Sequence, residues 1–247
     1  GCSTLLERNY PSITPHNSAP TAEGDPSVLR ANSYQELVNA LIYLINAGAQ
    51  EGTIRLYLDS EEVESELEAA CLEVVQEDPL GAYAVDFIKN SYTRVLATYE
   101  ATISITYRRT KEQVQSLINV TSTSAIRKEV SAALSEYRPE LVLRVGYFTG
   151  GTDSVAALVR QAYYDALASA MGMPECTVTL YPDTGTQRIV EILLTYPEDV
   201  EAMRAKSAQL QAEVEALFAP LNPQQYSDIE RLSQLFRLLP QAVTHNP

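Results

Sequence analysis

Tryptophan is absent from this 247-residue sequence, and histidine occurs only as His16 and His245. His16 lies in a Pro- and Ser-rich N-terminal stretch and His245 stands next to Asn246-Pro247, so neither is placed as a base in a packed site. Ser-His-Asp and Cys-His catalysis lose their central member. Zinc sites of the usual Cys and His spacing are missing as well. The three cysteines, Cys2, Cys71 and Cys176, are odd in number and far apart, which does not read as a disulfide framework. Cys71 falls on the apolar stripe of a helix and Cys176 opens a strand, so both read as small buried hydrophobes. Positive charge is scarce: 18 Lys and Arg against 32 Asp and Glu leave a net charge of -14. No basic footprint for nucleic acid is present. Anionic membrane surfaces should be repelled, so membrane contact would have to be covalent or incidental. No stretch reaches the roughly 20 apolar residues that span a bilayer.

The motifs that remain are structural in character. Gly150-Gly151-Thr152-Asp153 lacks the lysine of a phosphate loop and reads as a turn with Thr152 or Asp153 as the helix cap. Glu61, Glu62, Glu64 and Glu66 form an acidic helix start that suits the helix dipole. The reading is therefore no catalytic residue, no metal ligand and no cofactor.

What the sequence does have begins at its first residues. Gly1-Cys2 looks like the end of a bacterial lipoprotein signal, in which the cysteine is lipidated. Residues 3–31 contain Pro11, Pro15, Pro20 and Pro26 without sustained periodicity, as expected of a tether. Cys2 is thus the expected lipidation site. The expected location is extracytoplasmic, membrane-anchored through that lipid.

The body reads as alternating helices and strands. Ser33 and Glu36 make a capping box ahead of Leu37, Val38, Leu41, Ile42 and Ile45, predicting a helix that Gly48 stops. A strand is expected over 53–58 and a helix over 61–76, with Pro79 beyond its end. Residues 82–89 and 94–108 read as two antiparallel strands. Thr110 and Gln113 cap a short helix containing Val114, Leu117 and Ile118. Then come a helix over 124–137, a strand over 141–148, a helix over 152–171 and a hairpin of 176–181 with 187–196 around Pro182-Asp183-Thr184-Gly185. Helices over 198–218 and from Ser227 onward, carrying Ile229, Leu232, Leu235, Phe236 and Leu239, close the chain.

This order repeats. At an offset of 89 residues, Ser33, Leu37, Leu41 and Ile45 map to Ser122, Ile126, Val130 and Leu134, and Ile54-Arg55-Leu56 maps to Leu143-Arg144-Val145. Ile103, Ile105, Thr106 and Tyr107 map to Ile192, Leu194, Thr195 and Tyr196. The helices between match with a shift of about three residues, Val63 and Leu67 falling opposite Val155 and Val159. The fold class is α/β (α+β): a duplicated αβαββ unit forming mixed sheets covered by helices. The expected parts are a tether over 1–31, repeats over 32–110 and 111–200, and a helical segment over 201–247. Among 15 tyrosines, Tyr107 and Tyr196 end equivalent strands, which makes them candidate binding residues, with core and strand packing as the alternative.

The segment IRLYLDSEEVESELEAACLEVVQEDPLGAYAVDFIK, followed by YEATISITYRRT, resembles the N-terminal region of Firmicutes surface lipoproteins that carry a transglutaminase-like domain. The resemblance spans roughly residues 33–200. It implies an accessory or recognition domain ahead of a papain-type domain with a Cys, His, Asp triad. This chain has no Gly-rich, cysteine-bearing start of such a domain, and Cys71 has no histidine to partner it, so no catalytic residue carries over. The helical stretch 198–239 would suit a connector. A non-catalytic surface domain with a cell-wall, protein or glycan partner is the expected function. The alternatives are an enzyme using carboxylates such as Glu61 or Asp153, and a substrate-binding lipoprotein of a transporter.

Overall fold

The computed structural model describes residues 21–22, 25–165 and 172–219. Among these the protein is a mixed α/β (α+β) fold with seven helices and two mixed sheets. The strands are β1 (Thr21–Ala22), β2 (Asp25–Ala31), β3 (Glu51–Leu56), β4 (Val85–Val95), β5 (Thr98–Tyr107), β6 (Ile118–Val120), β7 (Glu140–Val145), β8 (Glu175–Tyr181) and β9 (Arg188–Thr195). The helices are α1 (Tyr34–Asn46), α2 (Val63–Gln76), α3 (Pro79–Ala84), α4 (Lys111–Gln115), α5 (Thr123–Ser135), α6 (Thr152–Asp165) and α7 (Val200–Phe218). One sheet has the order β1-β2-β3-β5-β4 and the other the order β6-β7-β9-β8. Contacts divide the chain into two compact units. One comprises residues 1–121, 142–149 and 180–190, and the other 122–141, 150–179 and 191–247.

In the first unit, β2 runs parallel to β3, and β5 pairs antiparallel with both β3 and β4. Side chains alternate across a strand. Ile54 and Leu56 of β3, with Ala101, Ile103 and Ile105 of β5, accordingly all point into the core. There they meet the apolar stripes of two helices: Leu37, Leu41 and Ile45 from α1, and Val63, Leu67, Cys71 and Val74 from α2. Leu37, Leu41, Ile54, Leu56, Leu67 and Ile103 are less than 2% exposed. Removing any one of them should cost about 2–5 kcal/mol.

In the second unit, α5 packs against α6. Ile126, Val130, Ala133 and Leu134 of α5 are buried, as are Val155, Leu158, Val159, Ala162 and Tyr163 of α6.

The duplication extends to individual hydrogen bonds. Ser33 Oγ accepts from Glu36 N, and Ser122 Oγ from Ala125 N, at the starts of α1 and α5. Leu29 pairs with Ile54 between β2 and β3, and Ile118 with Leu143 between β6 and β7. Ile105 N donates to Gln50 O, and Leu194 N to Pro139 O. All of these are 89 residues apart, as Ser33 is from Ser122. Helices α2 and α6 also begin and end at this offset, yet their buried stripes match best three residues later. Val63, Leu67, Ala70 and Cys71 answer to Val155, Val159, Ala162 and Tyr163.

Several expectations need correction. The stretch 1–31 is not tether throughout, because Asp25–Ala31 is the strand β2, and Val28, Leu29 and Ala31 are buried. Seven residues with a single proline leave too short a pattern to read, and the strand is supported by its partner β3 rather than by its own propensity. Likewise Ile118 belongs to β6, not to the helix before it. Each αβαββ unit is therefore preceded by one more strand. Residues 82–84 are helical rather than extended. Pro79 does not merely follow α2 but opens α3, with Asp78 Oδ2 accepting from Gly81 N as its cap. The turn between β4 and β5 falls at Leu96, which adopts φ 59 although it is neither Gly nor Asn. Thr152 is the first residue of α6 rather than its cap, since Val155 N already donates to Gly151 O. The helix expected from Ser227, and residues 166–171 of the helix expected over 152–171, lie outside the described residues.

Candidate functional site

Helix α1 ends in a Schellman motif: Gly48 N donates to Ile45 O and Ala49 N to Leu44 O, each at 3.0 Å. That geometry needs a left-handed residue after the cap, and Gly48 takes it at φ 67. The chain turns out of the helix here, and the freed Ala49 carbonyl accepts from Tyr107 Oη at 2.6 Å. Tyr107, at the end of β5, thus fastens the end of α1 to the sheet. Burial pushes its hydroxyl up to about 12, so it stays a neutral donor.

Beyond Tyr107 the chain runs through Arg108 and Arg109 into α4. Thr110 Oγ1 accepts from Gln113 N, and the Gln113 side chain accepts from Thr110 N, a complete capping box. Arg108 donates to Val85 O and Ala82 O. Arg109 donates to Tyr83 O at 3.3 Å and to Tyr181 Oη at 3.1 Å. Its guanidinium lies 4.6 Å from the centre of the Tyr83 ring and 5.8 Å from that of Tyr181. These two rings meet edge to face at 5.5 Å. The positive charge is thereby held in place between two phenols.

Between the end of α1, the end of β5 and α4 lies a cavity of about 390 Å³. Its apolar wall is Ile45, Leu80, Ala84 and Val114, and its polar groups include Gln50, Tyr107, Arg109 and Lys111. An apolar wall with a few fixed polar groups and this volume suits a small molecule. Gly48 also lines it, and a side chain added there would meet no atom within 4 Å.

The same device recurs in the second unit with a different outcome. Tyr137 N donates to Leu134 O and Arg138 N to Ala133 O, again a Schellman motif, with Tyr137 itself left-handed at φ 54. Tyr196 Oη donates to Arg138 O at 2.9 Å, and burial again raises that hydroxyl to about 12. Here the left-handed residue has a ring. Tyr137 is 5% exposed and meets Tyr196 edge to face at 5.8 Å. Met203, the counterpart of Val114, is 1% exposed, and Glu198 and Val200 stand where the first copy has Arg109 and Lys111.

Tyr107 lines the cavity, and Tyr196 holds the matching position in the second unit. Cys2, His16 and His245 lie outside the described residues. Glu61 and Asp153 are exposed. Cys71 is buried and its thiol raised to about 11 by desolvation, with Asn90 donating to its sulfur. Cys176 is only half-buried, which corrects its reading as a core residue: it lies on the more open β8, where burial alternates weakly. Among the described residues no group of three or more His, Cys, Asp or Glu could hold a metal ion, and no helix is long and apolar enough to cross a membrane. Sequence reasoning missed Gly48, Lys111 and Val114. Carrying the 89-residue offset through the helix end and past Thr110 would have paired them with Tyr137, Val200 and Met203, exposing the asymmetry.

Comparison with protein-family models, curated proteins and solved structures gives no match to this chain.

Proposed function

We propose that this chain is a non-catalytic recognition domain of a bacterial surface lipoprotein, held outside the cell by a lipid on Cys2 and serving an attached or partnering transglutaminase-like domain. The observation that supports recognition is the cavity beside Tyr107, about 390 Å³ with an apolar wall and fixed polar groups. The chemistry around it suits holding rather than reacting. Tyr107 is a neutral donor committed to a carbonyl, and Arg109 is fixed between two rings. Neither is a nucleophile beside a base. The carboxylates that an enzymatic reading would use, Glu61 and Asp153, are exposed and line no part of this cavity.

The test is a thermal-shift screen of the full chain against sugars, peptides, amino acids and small aromatic acids. A ligand that binds the folded state raises the melting temperature with concentration. Recognition predicts at least one class that does so, and no response to any class counts against it. The anchor is tested on protein from its native host, where an intact mass showing an unmodified Cys2 contradicts it.

A further inference from the structure

The duplication allows the contents of the cavity to be read from the protein itself. Two sites descend from one pattern: a Schellman turn after the first helix of each copy, whose freed carbonyl accepts from the hydroxyl of a tyrosine 58 residues further on. In the second unit the left-handed residue is Tyr137, whose phenol ring rests edge-on against Tyr196 and is almost wholly buried. In the first unit the same residue is Gly48, with open space where its Cβ would be, and Tyr107 lines an empty volume. A non-glycine residue is disfavoured at positive φ. Tyr137 nonetheless occupies such a position, with its ring buried against Tyr196. The surface that accepts a phenol ring against a tyrosine is therefore built into the fold, and the first copy offers it without a ring of its own.

The charges around the two places differ in a way that also bears on the ligand. The first copy has Arg109 and Lys111 at its cavity; at the same positions the second has Glu198 and Val200. In a chain with 18 basic residues against 32 acidic ones, two cations at one small cavity favour an anionic group on the ligand.

We infer that the cavity beside Gly48 and Tyr107 binds a small aromatic molecule bearing a carboxylate, its ring taking the place that Tyr137 fills in the second copy and its carboxylate facing Lys111 and Arg109. This deepens the recognition reading and rests on it. The ring packs against Tyr107 and the apolar wall of Ile45, Leu80 and Val114. Edge-to-face contact is the arrangement such ring pairs prefer. About 390 Å³ accommodates one substituted phenyl ring with its acid group.

The experiment measures binding of 4-hydroxyphenylacetate to the full chain by titration calorimetry, with 4-methylphenol and cyclohexylacetate as comparison probes. Binding is expected for 4-hydroxyphenylacetate and weaker for both others. Gly48→Tyr, which gives the first copy the ring of the second, should weaken it at least about tenfold. Lys111→Met should weaken 4-hydroxyphenylacetate while leaving 4-methylphenol unchanged. Circular dichroism of each variant establishes that it is folded, and Lys111→Met, on a surface helix, keeps the test open if Gly48→Tyr does not fold. If cyclohexylacetate binds as well as the aromatic acid, the ring inference is wrong. If 4-methylphenol binds as well, the carboxylate inference is wrong. If folded Gly48→Tyr binds as the parent does, the site lies elsewhere and the inference is overturned. If no aromatic probe binds but the thermal screen finds another class, this inference fails while the recognition reading stands.

Discussion

The two copies of the repeat share an order of elements and the end of their first helix, and differ in how they fill the space beside it. Each turns out of its first helix through a left-handed residue and ties the exposed carbonyl to a tyrosine hydroxyl. The first copy uses Gly48, the residue best suited to that conformation, and leaves a cavity. The second uses Tyr137, which is poorly suited to it, and buries a ring and Met203 instead. The less favourable backbone choice goes with the better-filled interior. A copy that served only stability would be expected to look like the second; the first keeps an opening that packing alone does not require.

That contrast can be broken at several points. The largest effect should come from Tyr137→Gly, which relieves the left-handed strain but removes a buried aromatic ring. The loss is expected to be about 2–4 kcal/mol, from a truncation cost of about 3–5 less about 1 for the strain, measured by denaturant unfolding. Next is the pair Met203→Ala and Val114→Ala. Met203 is 1% exposed and should cost about 2–3 kcal/mol, whereas Val114 borders the cavity and should cost about 1 or less. Equal losses would mean that the two places are packed alike. Tyr107→Phe and Tyr196→Phe should each cost about 1 kcal/mol, because each removes one hydrogen bond to a helix-end carbonyl.

Those tyrosines also carry a pH signature common to both copies. Their hydroxyls titrate near 12 in the folded chain, above the ordinary value of 10. Between these values the folded state holds more protons than the unfolded one, so stability falls as pH rises through that window and is fully present below it. Each Phe variant should make the alkaline loss shallower. Gly48→Ala should cost about 1 kcal/mol, because a Cβ is strained at φ 67 yet fills nothing useful.

Much of this frame was legible in the sequence. The capping residue Ser33, the stripes of α1 and α5 and the alternation of Ile103 and Ile105 carry local signals strong enough to read alone, whereas Ser122 was legible only as the repeat partner of Ser33. The 89-residue repeat was legible too, including the three-residue shift of the stripes of α2 and α6. The strands β2 and β6 were not legible, because they are short and exist through their parallel partners β3 and β7. Tyr107 and Tyr196 were legible as equivalent positions, but their work as latches on Ala49 and Arg138 depends on where a turn brings those carbonyls. The cavity was hidden for a plainer reason. It arises from what Gly48 lacks, and an absent side chain leaves a signal only when the two copies are aligned residue by residue.

The central claim is that the first copy holds a site which the second has closed. Backbone amide chemical shifts of the full chain, followed as 4-hydroxyphenylacetate is added, test it most directly. The account predicts saturable shifts at Gly48, Tyr107, Lys111 and Val114, with Tyr137, Tyr196 and Met203 unmoved. Equal movement of both sets, or movement confined to the second, would contradict it.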